Sequence, residues 1–197
     1  MRTDSTRWSL LAAGIAAFGL LWTPAVLAKD TSAKGSASKP NDAQIISIVN
    51  AANTGEIEAA KLAQTKSTND QVKEFAAQMI KDHSAMNDQV AELTKKLSIT
   101  PEDSATSTQL KTASAQTAAK LQDLSGATFD KAYVDSQVAD HKMVLGMFDK
   151  MLIPNAKHPE LKTTLTSARP TIAMHLEHAQ HLQAALKKGG KSMGRTP

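Results

Sequence analysis

Cysteine is missing from all 197 residues, which excludes disulfide bonds, thiol catalysis and cysteine-ligated metal sites. Aromatic residues make up 4% of the chain, so few rings are available to stack on nucleic-acid bases. No segment alternates polar and apolar residues with the period of a β-strand, and no phosphate-binding loop or nucleophile–base pair is recognisable. These absences argue against a sheet, a specific nucleic-acid ligand and an enzyme. They leave a packed helical core as the source of stability.

The first 28 residues are typical of a secretory signal peptide. Arg2 and Arg7 precede the short apolar run WSLLAAGIAAFGLLW, and the small residues Val26 and Ala28 occupy positions −3 and −1 before the expected cut. An uncleaved membrane anchor is the alternative, but a spanning helix needs about 20 apolar residues. We therefore expect cleavage after Ala28, a mature chain without a transmembrane segment, and a location in the periplasm or cell envelope.

Composition divides the rest of the chain into a linker, one domain and a tail. Residues 29–40 (KDTSAKGSASKP) have no hydrophobic period and predict a flexible linker. Residues 41–187 carry helical periodicity and form the predicted domain. Residues 188–197 are rich in glycine and basic residues, which predicts a disordered tail. We expect this tail to be solvated rather than bound to a membrane or a nucleic acid.

Within the domain, apolar residues recur at helical spacing in four long segments. Short gaps join the first segment to the second and the third to the fourth, so each pair should form an antiparallel hairpin. A segment rich in Ser, Thr and Ala lies between the two pairs and has only a thin apolar stripe. The predicted fold is all-α, a ferritin-like four-helix bundle with an extra crossover helix between the second and third bundle helices.

Capping residues predict where the helices begin and where one of them is disturbed. Asn41 should cap the first helix and Thr68 the second, while Thr100 and Pro101 should open the crossover helix. Pro170 falls inside the last helix and should kink or split it, because its ring clashes with the preceding turn.

On each bundle helix, the positions predicted to be buried are three or four residues apart. One position in each such row holds a polar residue. These residues are Glu56, His83, His141 and His175. Their distances along the chain from the hairpin turns place them at similar heights in an antiparallel bundle, so we expect them to converge. One carboxylate and three imidazoles suit a single Zn²⁺, Fe²⁺ or Cu²⁺ ion.

A metal-free explanation of the same residues stays open. Each histidine can be satisfied by a helix carbonyl or a carboxylate. The protein would then be a structural or stress-related envelope protein that acts through its bundle surface, with an envelope partner or a second copy of itself. Asp82 and Asp140, each directly before a core histidine, are either acids that support a metal ligand or surface acids. His178 and His181 in HLEHAQH form either a second, exposed metal site or a solvated helix edge.

Four segments carry a resemblance to a known family: GEIEAAKLA, VKEFAAQMIKDHSAMN, LSGATFDKAYVDSQVADH and LKTTLTSARPTIAMHLEHA. They resemble the bacterial exported family of domain of unknown function 4142, a ferritin-like group often described as predicted outer membrane proteins. The resemblance covers nearly all of residues 41–187 and implies a ferritin-like bundle in the cell envelope, with no established activity. It makes Glu56, His83, His141 and His175 candidates for the family's polar core positions.

The pattern departs from that of di-iron bundles, which carry two Glu-x-x-His pairs and further glutamates. The residues three positions before the core histidines are Ile80, Val138 and Ile172. We therefore expect a single ion rather than a ferroxidase centre.

Overall fold

The computed structural model describes residues 39–193, with side chains through residue 188. The predicted signal peptide, most of the predicted linker and residues 194–197 lie outside this range. In chain order the elements are α1 (Asp42–Lys66), α2 (Asp70–Leu97), α3 (Ala105–Gln122), α4 (Gly126–Met147), a π-helical turn (Phe148–Leu152), α5 (Ile153–Asn155) and α6 (Pro159–Met193). Residues 39–193 contain no strand, so the predicted all-α class is confirmed.

The helices pack as two hairpins. α1 packs against α2 and α4 packs against α6, as predicted. α2 also contacts α6, and α1 contacts α4, so the four long helices form one bundle. α3 connects the two hairpins and packs mainly on α1, which agrees with a crossover helix. The finer, ferritin-like arrangement stays a prediction. No helix within residues 39–193 is both long enough and apolar enough to cross a membrane.

The predicted cap of α1 is confirmed, and that of α2 is wrong by one residue. The Asn41 side chain takes part in a capping box at the start of α1. α2 is capped by Asn69 instead of Thr68, because the Asn69 side chain accepts from the backbone N–H groups of Gln71 and Val72.

The predicted start of the crossover helix at Thr100 is also wrong, since α3 begins after the capping residue Ser104. The backbone N–H of Glu102 donates to a carbonyl in the first turn of α1. Asp103 accepts a hydrogen bond of 2.6 Å from the Ser47 hydroxyl of α1. These bonds hold the segment against α1 in a non-helical conformation, so the helix begins only beyond it.

The π-helical turn after α4 is explained by Pro154. Proline has no backbone N–H, and its ring clashes with the carbonyl one turn earlier, so a regular α-helix is disfavoured there. The backbone N–H of Ile153 bonds instead to the carbonyl of Phe148, five residues back. The wider turn keeps both Phe148 and Leu152 in the core.

α6 runs through Pro170 as one helix, so the predicted split does not occur. Pro170 is exposed, and a carbonyl that loses its donor at such a position can bond to water. Arg169 donates twice to Asp149 of the π-helical turn, at 2.5 and 2.8 Å, which links α6 to the end of α4. The helix continues to Met193, six residues into the segment predicted to be a disordered tail.

The core consists of two apolar clusters with a polar layer between them. One cluster includes Ile45 and Leu165. The other includes Phe75 and Val134. Along each of the four long helices, the polar residue predicted for the core falls between members of the two clusters. The polar layer therefore crosses the whole bundle at one height.

Two helical glycines provide a test of how closely α3 packs on α1. A Cβ atom at Gly55 would lie 2.2 Å from Ser114 Oγ and 2.7 Å from Ser114 Cβ. A Cβ atom at Gly146 would have no such neighbour within 4 Å. We expect Gly55→Ala to lower the free energy of unfolding by about 1–3 kcal/mol through overpacking.

The matched control is Gly146→Ala, which should raise the free energy of unfolding by up to about 1 kcal/mol because alanine favours the helix. Urea denaturation of the two variants measures both changes. If both variants are stabilised, α3 does not pack on α1 at the distance described here.

Candidate metal centre

His83 of α2, His141 of α4 and His175 of α6 lie together in the middle of the bundle. One ring nitrogen of each lies within 4.8 Å of a ring nitrogen of each of the other two. The ring centres are 5.6, 5.4 and 5.4 Å apart, which makes a nearly equilateral triangle. The exposed fractions of the three residues are 8%, 2% and 2%. The described residues contain no other such group of three potential metal ligands.

The second nitrogen of two of these rings bonds to an oxygen that is held in place. His83 Nδ1 lies 2.9 Å from Asn53 Oδ1, and the Asn53 amide nitrogen donates in turn to Asn87 at 2.8 Å. His141 Nδ1 lies 2.9 Å from the backbone carbonyl oxygen of Gln137, one turn earlier on the same helix. Both rings are therefore anchored through Nδ1.

His175 is anchored through its other nitrogen, Nε2, which lies 2.8 Å from Asp82 Oδ2. The same carboxylate oxygen accepts from Gln78 at 2.6 Å. Partial burial acts to raise the pKa of Asp82, but the hydrogen bonds from Gln78 and His175 bring that pKa below its ordinary value. Asp82 therefore contacts a core histidine, and its role as a supporting acid stays a prediction.

These partners determine which nitrogen of each ring carries the proton. Carbonyl and carboxylate oxygens only accept, so His83 and His141 carry the proton on Nδ1 and His175 carries it on Nε2. The remaining nitrogens, His83 Nε2, His141 Nε2 and His175 Nδ1, are buried and have no hydrogen-bond partner among the described residues. Three buried nitrogens without a partner thus belong to three rings that lie together, an arrangement that suits a cation.

Burial favours the neutral, metal-binding form of all three rings. It lowers the pKa of His83 to about 3, with smaller contributions from His141 and His175. Burial also lowers the pKa of His141 and of His175, although the hydrogen bonds of these rings act in the opposite direction. All three nitrogens therefore stay unprotonated at neutral pH.

Glu56 is buried in the same layer, but it is not part of the histidine cluster. Its Oε2 accepts from Gln137 Nε2 at 2.6 Å, and its Oε1 lies 3.9 Å from His141 Nδ1, the anchored nitrogen of that ring. Burial raises the pKa of Glu56 to about 7, against the effect of the Gln137 hydrogen bond. Asp140, the other predicted supporting acid, lines a neighbouring cavity with Glu56. Burial and the charge of Glu56 raise the pKa of Asp140 to about 6.

A cavity of about 40 Å³ adjoins the three rings, and all four long helices contribute to its wall. Half of its fourteen lining residues are apolar, among them Val49, Val144, Phe148 and Ile172, and they supply most of the wall surface. A single water molecule needs about 10–15 Å³. The cavity therefore has room for an ion together with one small ligand.

Residues 27–182 match the protein family described as Domain of unknown function (DUF4142). The match covers well over half of the chain, and it confirms the family that the sequence resembles. The chain belongs to this family. Searches of curated proteins and of solved structures found no match. The family description assigns no activity, so the chemistry of this member has to be inferred from its own residues.

The tract HLEHAQH does not form a second metal cluster within the described residues. His178 and His181 are both exposed. The ring of His178 packs edge-on against Phe75 with centres 5.1 Å apart, and His181 lies 3.7 Å from Glu177 one turn earlier. Of the two predicted alternatives, the solvated helix edge agrees with this geometry.

Sequence analysis missed two residues of the centre, Asn53 and Gln137. Both are buried and both bond to a member of the polar layer. Each also lies three or four residues before a predicted core residue, Glu56 or His141, and so shares its helix face. Helical spacing was therefore a signal for both, but amide side chains are common on helix surfaces and were not assigned to the core.

Proton positions on the three rings can be tested in the metal-free protein. We expect ¹⁵N NMR at neutral pH to show Nδ1–H on His83 and His141 and Nε2–H on His175, because the anchoring oxygens only accept. Single His→Gln variants assign the signals. Nε2–H on His83 or His141 would contradict the arrangement, since the proton would then lie on the nitrogen without a partner.

A second test concerns the buried carboxyl group of Glu56. Its pKa is raised from 4.5 to about 7 in the folded state, so the folded state binds this proton more tightly than the unfolded state. The resulting loss of stability begins as the pH rises above 4.5 and is complete above 7. Glu56→Gln cannot ionise, so it should raise the free energy of unfolding by about 1–3 kcal/mol at pH 8 and by little at pH 4.5.

Glu58→Gln is the matched control, because Glu58 is an exposed glutamate on the same helix. It should change stability by no more than about 0.5 kcal/mol at either pH. Denaturant titrations of the metal-free proteins at the two pH values supply the comparison. A gain from Glu56→Gln that is the same at both values would exclude an ionisation effect.

Proposed function

We propose that this protein is an exported helical-bundle protein that binds one transition metal ion through His83, His141 and His175. The observation that carries the proposal is the set of three buried ring nitrogens without partners, within reach of one another and each opposite an anchored N–H. The basic and apolar pattern of residues 1–28, with small residues before Ala28, supports export to the periplasm.

Three neutral imidazoles are a ligand set used for Zn²⁺, Cu²⁺ and Fe²⁺. A metal-bound imidazole usually donates its second N–H to a carboxylate, a carbonyl or an amide oxygen, which orients the ring and raises its basicity. All three rings have such a partner in this bundle. The side chains are therefore oriented for an ion before it binds.

Two carboxyl groups lie near enough to balance the charge of a buried cation. Asp82 bonds directly to the outer nitrogen of His175. Glu56 lies 3.9 Å from the outer nitrogen of His141. We propose that both act from outside the coordination shell, Glu56 included, although the spacing of the sequence predicted it as a ligand. When bound, the ion would supply an electrophilic or redox-active centre, while the surrounding residues hold it and exclude water.

The alternative, a structural envelope protein whose histidines are merely paired, needs a partner for each ring nitrogen, from the protein or from a buried water. The described residues give a partner to only one nitrogen of each ring. An unsatisfied buried polar atom costs roughly 1–3 kcal/mol of stability, so three such atoms would destabilise the folded protein substantially. One metal ion would account for all three atoms, whereas the structural function needs separate waters in the adjoining cavity.

Metal titration of protein purified without a histidine tag tests the proposal. We expect one ion of Zn²⁺, Cu²⁺ or Fe²⁺ per chain, measured by calorimetry and elemental analysis. At a free ion concentration of about 100 times Kd, binding to the folded state alone should add about 2.7 kcal/mol to the free energy of unfolding. His141→Ala and His175→Gln should each remove most of that gain, because each deletes one ligand.

Two control variants separate the core site from other binding. His181→Ala changes an exposed histidine and should keep the full gain. Glu56→Gln should lower metal affinity by about tenfold, the lower end of the loss seen when a supporting contact is removed. Equal metal-induced stabilisation of wild type, His141→Ala and His181→Ala would refute the core site. Loss of binding in Glu56→Gln as complete as in His141→Ala would make Glu56 a ligand.

A further inference from the structure

We propose that the cavity beside the three histidines binds a small uncharged diatomic molecule, of the class of dioxygen, nitric oxide and carbon monoxide, at the open coordination position of the bound metal. This inference rests on the proposed function, because it needs an ion on His83, His141 and His175. It goes further by naming the kind of ligand that the site admits.

The proposed ion has three protein ligands. Within the described residues three imidazole nitrogens converge, and no carboxylate joins them. Glu56 Oε2 is engaged by Gln137, and the Asp82 oxygen nearest the cluster is engaged by His175 and Gln78. An ion held by three protein ligands keeps a position for an external ligand.

The surface of the cavity wall is mainly apolar. Six lining residues are aliphatic or aromatic hydrocarbons: Val49, Ala52, Val144, Phe148, Ala168 and Ile172. The Asn53 amide, which also lines the cavity, is used by His83 and Asn87. The wall also includes the carboxylates of Glu56 and Asp82, which repel an anion, and the Thr171 hydroxyl. A strongly polar molecule entering this space would lose its hydration and gain few hydrogen bonds in return. An uncharged diatomic molecule has no such cost.

The cavity is also small. The cavity measures about 40 Å³, whereas pockets for organic ligands usually measure about 300–1,000 Å³. A metabolite therefore does not fit beside the ion without displacing core side chains. A molecule of two atoms does fit, and four wall residues are buried members of the first cluster, which limits expansion: Val49, Phe148, Ala168 and Ile172.

Met86 is the competing occupant, because its thioether also lines the cavity and is three residues from His83. Sulfur from methionine is a ligand for Cu(I), and a flexible side chain can reach an ion that rigid neighbours cannot. If Met86 completes the coordination, the open position does not exist. Any test has to distinguish these two arrangements.

Carbon monoxide binding to the Cu(I)-loaded full-length mature protein is a direct test. Copper content is measured first under anaerobic conditions, which decides the proposed function independently of the gas. Infrared spectroscopy should then show one narrow C–O band and one carbon monoxide per copper ion. The Fe(II)-loaded protein with nitric oxide, read by electron paramagnetic resonance, provides the same comparison for iron.

Cavity-filling variants locate the bound gas. Ala168→Val and Val49→Ile add carbon atoms to two different walls of the cavity, from α6 and α1. Each should lower carbon monoxide affinity at least tenfold while the copper content stays at one per chain. Ala156→Val is the matched control, because Ala156 is buried to the same 6% exposure in the same cluster and does not line this cavity.

The outcomes separate the two proposals. If neither copper nor iron loads at one ion per chain, the metal site is wrong and the gas site falls with it. If a metal loads and no gas binds, only the gas site is wrong. Binding that appears only in Met86→Leu assigns the fourth position to the thioether and also overturns the inference. If both Ala168→Val and Val49→Ile melt normally and keep the wild-type carbon monoxide affinity, the gas binds elsewhere. The proposed gas site in the cavity is then refuted.

Discussion

Three histidine lone pairs that face one another inside an apolar core are the constraint on which this fold depends. Each buried nitrogen without a partner costs roughly 1–3 kcal/mol, a large amount against a typical domain stability of 5–15 kcal/mol. Apolar clusters lie on both sides of this layer, so the small adjoining cavity is the place from which water can reach these nitrogens. A cation relieves all three at once. The proposed metal centre would thus make the stability of the polar layer depend on its ion.

Hydrogen bonds between helices hold the residues of the polar layer in place. Asn53 of α1 bonds to His83 and Asn87 of α2, and Asp82 of α2 bonds to His175 of α6. The side chain of Gln137 on α4 bonds to Glu56 on α1, and its backbone carbonyl anchors His141. Every long helix is therefore tied to another at the height of the rings. A shift of one helix along its axis would break at least one of these bonds, which sets the register of the bundle.

Helical spacing was enough to predict the three histidines, because residues three and four apart share a face and the hairpins bring those faces together. The same spacing could not decide that Glu56 turns toward Gln137, since the direction of a side chain depends on partners from other helices. Asn53 and Gln137 were missed for the same reason. The cap at Asn69 lay one residue from its predicted place, and the π-helical turn before Pro154 depended on backbone bonds that no residue pattern records.

The ligand set also limits which ions the bundle suits. The residues three before the histidines are Ile80, Val138 and Ile172, and all three pack with the apolar clusters, so a second ion has no carboxylate bridge. Neutral imidazoles contribute no charge to the site. Asp82 accepts a hydrogen bond from the ring N–H of His175, and Glu56 Oε1 lies 3.9 Å from His141 Nδ1. A dication then relies on both Asp82 and Glu56 for balance, whereas a monocation such as Cu(I) needs only Asp82. Burial raises the pKa of Glu56 to about 7 in the metal-free protein, and a cation bound nearby would favour its ionised form.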